Sequence, residues 1–220
     1  MTRKRVAVLI SGRGSNMTAL IEAAKDKNFP AEIVLVVSNR PDAGGLTSAR
    51  NAGIATGVVD HALYGKDRAA FEGTLQHLLK EYRIDIVCLA GFMRLLTAPF
   101  VRQWDGRMLN IHPALLPAFK GLDTHRRALE AGVTEHGATV HFVVPDMDSG
   151  PIIAQAAVPV LAGDSEADLA ARVLVVEHRI YPQALRLVAE GRARIEGGRC
   201  MIDGATTETD AAPIPPDSDR

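Results

Sequence analysis

The chain has 220 residues, enough for one domain, or for one domain with a tail, that needs no disulfide or metal to fold. Its 25 basic and 26 acidic side chains nearly cancel, which argues against a broad surface for nucleic acid. Apolar residues make up 47%, yet no apolar stretch approaches the roughly 18 residues that cross a membrane. The apolar run behind the basic start is too short for a signal peptide, and the two cysteines form no disulfide or metal spacing. We therefore expect a protein of the reducing cytoplasm.

The first half of the chain alternates short apolar strands with helices. Strands are predicted over 5–10, 32–38, 54–59 and 85–90, and helices over 15–27, 45–52 and 66–82. This alternation is typical of an α/β fold with a doubly wound, mostly parallel sheet. Ligands of such sheets bind beyond the carboxyl ends of the strands. The functional residues are therefore expected just after Ile10, Ser38, Ala90, Ile111 and Val144.

The second half predicts further strands and one long helix. Strands are expected over 108–111, 138–144 and 152–160, and the last two surround a turn, which favours an antiparallel addition toward the C-terminus. The helix begins at Ser165, with Asp168 completing a capping box, and Pro182 should kink it. From residue 203 the periodicity ends. We predict a single domain over 1–202 and a disordered tail over 203–220.

A glycine-containing loop, Ser11-Gly12-Arg13-Gly14-Ser15-Asn16, follows the first strand. Its glycines allow close approach of an anion, and the next helix offers free backbone N–H groups. It is not a Walker loop, and Met17 stands where a dinucleotide fingerprint has its third glycine. The loop therefore favours one phosphate, bound by Gly14, Ser15 and Asn16. The alternative is a plain tight turn capped by Ser15.

The segment Asn110-Ile111-His112-Pro113 ends another predicted strand. Alternate strand residues share a face, so Asn110 and His112 project the same way. An amide that can stabilise an oxyanion, beside an imidazole that can carry a proton, suits acyl-transfer chemistry. A satisfied polar pair at a strand end remains the alternative.

The turn Asp146-Met147-Asp148-Ser149-Gly150-Pro151 lies between two predicted strands. Asp148 can reach His112, orient its imidazole and favour the charged form. A solvated turn with no such role is the alternative. We expect four more histidines at the surface or in hydrogen bonds: His61, His77, His125 and His136. His141 could face inward. No cluster of Cys, His and carboxylate residues has metal-ligand spacing.

Taken together, these segments resemble the folate-dependent phosphoribosylglycinamide formyltransferases. The matching stretches fall in order over 10–16, 89–94, 109–117, 137–143, 148–152 and 177–182. The resemblance implies the formyltransferase fold and transfer of the formyl group of 10-formyltetrahydrofolate to the amine of glycinamide ribonucleotide, without a metal. It implies that Asn110, His112 and Asp148 are catalytic. It also implies that the loop with Gly14 holds the 5′-phosphate and that Glu177 contacts the amine-bearing substrate.

The resemblance further implies a folate pocket of apolar walls and backbone groups. Its residues are Arg68, Phe92, Met93, Arg94, Leu95, Leu96, Asn110, Val144, Pro145, Asp146, Met147 and Asp148. We expect only small-molecule partners, with no nucleic acid and no membrane, in a monomer or homodimer.

Three other functions compete with this one. Methionyl-tRNA formyltransferases share the catalytic core but carry a C-terminal RNA-binding domain, whereas only an acidic, proline-rich tail follows here. Formyltetrahydrofolate hydrolases carry an N-terminal regulatory domain, whereas the first strand here begins at Arg5. A non-catalytic NADP-binding module would use Gly12, Gly14 and Arg40, but it leaves Asn110 and His112 without a task.

Overall fold

The computed structural model describes residues 2–204, in which seven strands form one mixed sheet with the order β3-β2-β1-β4-β5-β6-β7. The first five strands are parallel, β6 is antiparallel to β5, and β7 is antiparallel to β6. The predicted doubly wound sheet with an antiparallel addition is confirmed. The strands are β1 (Lys4–Ile10), β2 (Ala31–Ser38), β3 (Ala55–Val58), β4 (Ile86–Leu89), β5 (Met108–His112), β6 (Glu135–Phe142) and β7 (Ile152–Pro159).

Helices cover both faces of the sheet because its parallel strands are apolar on both sides. In β1, Val6 and Val8 pack into the core beneath α1 and α6, while Ala7 and Leu9 pack into the core beneath α3 and α4. The helices are α1 (Ser15–Ala23), α2 (Gly44–Asn51), α3 (Arg68–Glu81), α4 (Ala98–Gln103), α5 (Thr124–Glu130) and α6 (Glu166–Ala189), with a short 3-10 helix at His61–Tyr64. No helix within residues 2–204 is long and apolar enough to cross a membrane.

The strand order reverses beside β1. The chain builds β2 and β3 on one side of β1 and then β4 and β5 on the other. In open α/β sheets this reversal opens a crevice beyond the carboxyl ends of the two central strands. Two connections therefore face each other across the crevice: the β1–α1 loop (residues 11–14) and the β4–α4 segment (residues 91–97).

Several elements differ from the sequence prediction. α1 ends at Ala23, not at residue 27, because the Asp26 side chain accepts a hydrogen bond from the Asn28 backbone N–H and turns the chain. β6 begins at Glu135, three residues before the predicted start, and ends at Phe142. The helices α4 and α5 and the hairpin of β8 (Ala193–Glu196) and β9 (Arg199–Ile202) were not predicted; each is too short for its periodicity to stand out.

The long helix α6 bears out most of its prediction. Ser165 and Asp168 form the capping box, and the helix continues through Pro182 to Ala189. The kink at Pro182 stays a prediction. The disordered tail was predicted from residue 203 onward. The backbone N–H of Asp203, its first residue, donates a hydrogen bond to the carbonyl of Arg192 at 2.8 Å. The rest of that tail, residues 205–220, lies outside the described residues.

Candidate active site

Asn110 and His112 lie at the carboxyl end of β5, where the parallel half of the sheet meets the antiparallel half. Both are at alternate positions of one strand, so both side chains project from the same face. Across the antiparallel pair, Asn110 lies opposite His141 and His112 lies opposite Thr139. His112 is only 5% exposed, whereas Asn110 is half-buried. The predicted pair is therefore held side by side at one point of the crevice.

The two ring nitrogens of His112 face different partners. Nε2 lies 2.9 Å from the backbone carbonyl of Phe119, which can only accept, so Nε2 carries a proton. Nδ1 lies 3.5 Å from Oδ2 of Asp148. That distance is too long for a direct hydrogen bond but short for an ion pair. Nδ1 is therefore the nitrogen left to contact a substrate atom beside the carboxylate.

Asp148 is fixed by the turn between β6 and β7 (residues 143–151, the β6–β7 turn). Its backbone has a positive φ of 48°, a conformation that aspartate tolerates better than most residues. Oδ2 accepts a hydrogen bond from the Gly121 backbone N–H at 2.8 Å, and Oδ1 lies 3.8 Å from Nε2 of His141. A Cβ at Gly150 would lie 1.7 Å from the carbonyl oxygen of Phe142, so the turn requires glycine there. The predicted approach of Asp148 to His112 is present.

The amide of Asn110 is oriented by His141. Nδ1 of His141 lies 2.8 Å from the Phe142 carbonyl and carries a proton, which leaves Nε2 as an acceptor. Nδ2 of Asn110 donates to that nitrogen at 3.2 Å. Burial lowers the pKa of His141, although the Phe142 carbonyl and the Asp148 charge oppose the effect. A neutral His141 thus takes one proton of the amide and leaves the second free for an oxyanion.

The β1–α1 loop opens a cavity of about 180 Å³ at the reversal of strand order. Gly14 precedes α1 with a φ of 72°, and no side chain caps that helix in the described residues. The N–H groups of Ser15 and Asn16 are thus available at a helix N-terminus, where an anion is favoured. The cavity is lined by residues 12–16 on one side and by Ala90 and Gly91 on the other.

The side chain of Asn16 has a partner other than an anion. Its Nδ2 donates to Oε2 of Glu177 at 2.7 Å, and both side chains are buried between α1 and α6. Burial raises the pKa of Glu177, and the hydrogen bond from Asn16 partly opposes that rise. The side-chain amide of Asn16 therefore holds Glu177, while the backbone N–H of Asn16 lies at the start of α1.

The β4–α4 segment carries the predicted folate-binding residues 92–96. Met93 and Leu95 are 67% and 59% exposed, which gives the crevice an apolar rim. The guanidinium of Arg94 lies 4.9 Å from the ring centre of Phe71 on α3. Arg68 is exposed on α3 one turn before Phe71, so Arg68 and Arg94 both lie near that turn of α3.

The β6–β7 turn carries the remaining predicted folate residues. Pro145, Asp146 and Met147 are exposed, and Val144 is half-buried. The Met147 methyl group lies over Gly121, whose loop also supplies the N–H to Asp148. The turn is therefore in contact with the chain around Gly121 at two of its residues, Met147 and Asp148.

The loop that follows His112 (residues 113–123, the β5–α5 loop) is supported by residues that the sequence did not single out. The buried Thr139 hydroxyl donates to the Ala114 carbonyl at 2.7 Å and accepts from the Leu116 backbone N–H at 3.1 Å. Gln155 donates to the same hydroxyl at 2.8 Å. This loop supplies the Phe119 carbonyl to His112. The sequence indicated Thr139 only through its place in the stretch 137–143, which resembles the formyltransferase family.

His136 departs from its expected surface or hydrogen-bonded position. It is 1% exposed, and neither ring nitrogen has a hydrogen-bond partner within residues 2–204. Its ring packs edge-on against Phe119 and His125 at centroid distances of 5.8 and 5.3 Å. Burial and, to a smaller extent, the charge of His125 lower its pKa to about 4. The described residues contain no group of three or more His, Cys, Asp or Glu that could hold a metal ion.

The chain is similar to known proteins of one family. The chain is 48% identical over 199 residues to phosphoribosylglycinamide formyltransferase of Escherichia coli (strain K12), which covers 90% of this chain and 93% of that protein. It is 54% identical over 202 residues to trifunctional purine biosynthetic protein adenosine-3 of Homo sapiens, and spans about a fifth (20%) of that protein's length and 91% of its own. The crystal structure of glycinamide ribonucleotide transformylase 1 from Symbiobacterium toebii superposes with a TM-score of 0.87 at 50% identity, over 91% of this chain and 94% of that one. A family model described as "Formyl transferase" matches residues 4–185, and the chain therefore belongs to the formyl transferase family.

Proposed function

We propose that this protein is a phosphoribosylglycinamide formyltransferase of purine biosynthesis. It transfers the formyl group of 10-formyltetrahydrofolate to the amine of glycinamide ribonucleotide. One observation carries the proposal: Asn110, His112 and Asp148 converge at the carboxyl end of β5, in the same crevice as an anion cavity at the start of α1. The identity to the Escherichia coli enzyme of that name, over nearly its full length, supports it.

The ribonucleotide is held by its phosphate and by one carboxylate. The N–H groups of Ser15 and Asn16, after the turn at Gly14, bind the phosphate through hydrogen bonds and the partial positive charge of the helix end. Oε2 of Glu177 is engaged by Asn16, so Oε1 is the oxygen that faces the substrate. These contacts direct the amine toward β5.

The formyl carbon is attacked by the amine nitrogen, and the formyl oxygen gains negative charge. The free N–H of the Asn110 amide and the Nδ1 proton of a charged His112 stabilise that oxyanion. Both groups are oriented before the reaction, Asn110 by His141 and His112 by the Phe119 carbonyl. Little reorganisation is therefore needed when the charge develops.

One proton must leave the attacking amine, and one must reach N10 of the folate. Asp148 lies beside Nδ1 of His112 and accepts the amine proton. When the tetrahedral intermediate collapses, the bond from the formyl carbon to N10 breaks and N10 takes up the proton that Asp148 had accepted. The products are formylglycinamide ribonucleotide and tetrahydrofolate. The carboxylate thus serves twice, as the acceptor of the amine proton and as the donor of a proton to N10.

The folate occupies the space between the β4–α4 segment and the β6–β7 turn. Met93, Leu95 and Met147 supply exposed apolar surface for its rings, and Arg68 and Arg94 supply positive charge for its carboxylates. We also propose that the protein acts in the cytoplasm as a monomer or homodimer, with small-molecule partners only.

The test is deformylation of 10-formyl-5,8-dideazafolate, a chromogenic analogue, with and without glycinamide ribonucleotide. We expect turnover only when the ribonucleotide is present. Equal turnover without it would identify a formyltetrahydrofolate hydrolase instead. No turnover in either case would contradict formyl transfer altogether.

An NADP-binding module has little support. Arg40, which would have to bind the 2′-phosphate, already contacts Asp42 through two hydrogen bonds of 3.2 and 3.0 Å. Saturable binding of NADPH in the micromolar range, without folate, would restore that alternative.

A further inference from the structure

Ser11 joins the two sides of the crevice, and the mechanism above gives it no task. It is the first residue after β1 and is 8% exposed. Its hydroxyl oxygen accepts a hydrogen bond from the Met93 backbone N–H at 2.7 Å, across 82 positions of sequence. Its own backbone N–H donates to the Gly91 carbonyl at 3.2 Å. One residue of the β1–α1 loop therefore holds the start of the β4–α4 segment at two points.

The direction of the Ser11 hydroxyl is also fixed. Its proton is donated to Oδ1 of Asn39 at 2.5 Å, at the end of β2. Asn39 is 3% exposed and is held in turn by His61, whose Nδ1 lies 2.7 Å from the Asn39 carbonyl. A serine hydroxyl has one proton to donate. With that proton directed to Asn39, the oxygen lone pairs face Met93.

We propose that Ser11 is a positioning residue that sets the separation of the two substrates, an inference that rests on the function proposed above. The loop that begins at Ser11 binds the ribonucleotide phosphate, and the segment that Ser11 holds lines the folate. Reacting atoms must approach to about 3–3.5 Å, and a misplacement of about 1 Å can cost a hundredfold in rate. Without the hydroxyl, the Met93 N–H and Asn39 Oδ1 lose a partner inside the protein, so the segment shifts.

Three variants test this role. Ser11→Ala removes the hydroxyl, Ser11→Cys removes it but keeps the size of the side chain, and Ser11→Thr keeps it. For the alanine and cysteine variants we expect kcat to fall about ten- to hundredfold, while the Kd of the ribonucleotide alone changes less than about threefold. Ser11→Thr should recover kcat to within about threefold of the wild type. Ser48→Ala, on the exposed face of α2, is the matched control and should behave as wild type.

Hydrogen exchange gives an answer that does not depend on turnover. We expect the Met93 amide to exchange about tenfold faster or more in Ser11→Ala and Ser11→Cys than in the wild type, and at the wild-type rate in Ser48→Ala. Unchanged exchange, or a folded Ser11→Ala with kcat within about twofold of wild type, would overturn the proposal. If Ser11→Thr does not fold, the alanine and cysteine variants decide alone. A wild type without ribonucleotide-dependent turnover contradicts the proposed function, and the exchange rate still decides whether Ser11 holds the segment.

Discussion

The two functional regions of the crevice are built from different parts of the chain. The β1–α1 loop offers backbone N–H groups at the start of α1, exposed by the left-handed conformation of Gly14. The end of β5 offers side chains, and each is oriented by a hydrogen bond from elsewhere: His112 by Phe119, Asn110 by His141 and Asp148 by Gly121. Backbone groups survive most substitutions, whereas side-chain groups do not. Damage at β5 should therefore reduce the rate, and damage to the loop backbone at Gly14 should reduce affinity for the ribonucleotide.

The largest effect is expected for His112→Ala. Loss of one oxyanion donor typically reduces kcat about 10²–10³-fold, because the donor acts on charge that exists only in the transition state. The KM of the ribonucleotide should stay within about threefold of wild type, since no phosphate contact is removed. Steady-state kinetics with the dideazafolate analogue measure both values. Near-wild-type turnover in a folded variant would refute the assignment of His112.

A second prediction concerns the loss of folding stability at acidic pH that the buried His136 causes. The pKa of His136 is lowered to about 4, mainly by burial, whereas the unfolded chain binds this proton below about pH 6.5. The contribution of neutral His136 to stability is therefore fully present above about pH 6.5. As the pH falls toward 4, the free energy of unfolding decreases by about 3 kcal/mol, since each pKa unit corresponds to about 1.4 kcal/mol. His136→Phe, whose ring cannot be protonated, should lose less stability over that range than the wild type.

Thermal unfolding between pH 4 and 7 measures this difference. His136→Phe should keep part of the wild-type pH dependence, because burial also lowers the pKa of His125 and His141. His77→Phe, an exposed position on α3, is the control and should keep the full dependence. Equal pH dependence in His136→Phe and the wild type would show that His136 is not held neutral by burial.

Asp148→Asn separates the charge of Asp148 from its structural contact. The asparagine oxygen can still accept the Gly121 N–H, so the β5–α5 loop should stay in place. Loss of the carboxylate should reduce kcat about ten- to hundredfold, because the group that accepts the amine proton is lost. Stopped-flow or steady-state rates measure the change. Asp105→Asn, at an exposed carboxylate before the amino end of β5, should have no effect, and a full rate in Asp148→Asn would contradict the proton-transfer role.

The fold was predictable where one strand or helix carries its own pattern. Continuous apolar runs gave β1, β2 and β4, because parallel strands are buried on both faces. The hairpin of β8 and β9 was missed although Gly197-Gly198 sits between its strands, a pair typical of tight hairpin turns. α4 and α5 were missed because six or seven residues hold fewer than two helical turns of pattern.

The candidate site was predictable only in part. Alternation along β5 placed Asn110 beside His112, and the family resemblance brought Asp148 to them. The contacts that support the site could not be predicted. Phe119 contributes a backbone carbonyl to His112, and Ser11 accepts a hydrogen bond from Met93 across 82 positions of sequence. Such contacts depend on how loops meet in three dimensions. The same limit explains the contact of the Asn16 side chain with Glu177, which lies 161 positions away on α6.

The smallest effect is expected in the β1–α1 loop. Gly14→Ala forces a left-handed residue to carry a Cβ, which would lie 3.2 Å from the Met17 methyl group and 3.4 Å from the Gly45 Cα. A cost of about 1 kcal/mol should raise the KM of the ribonucleotide about fivefold and leave kcat within about twofold. Ser15→Ala keeps every backbone N–H, so its KM should change less than about twofold. If Ser15→Ala instead raises KM as much as Gly14→Ala does, the hydroxyl and not the backbone binds the phosphate, and the contrast between the two regions fails.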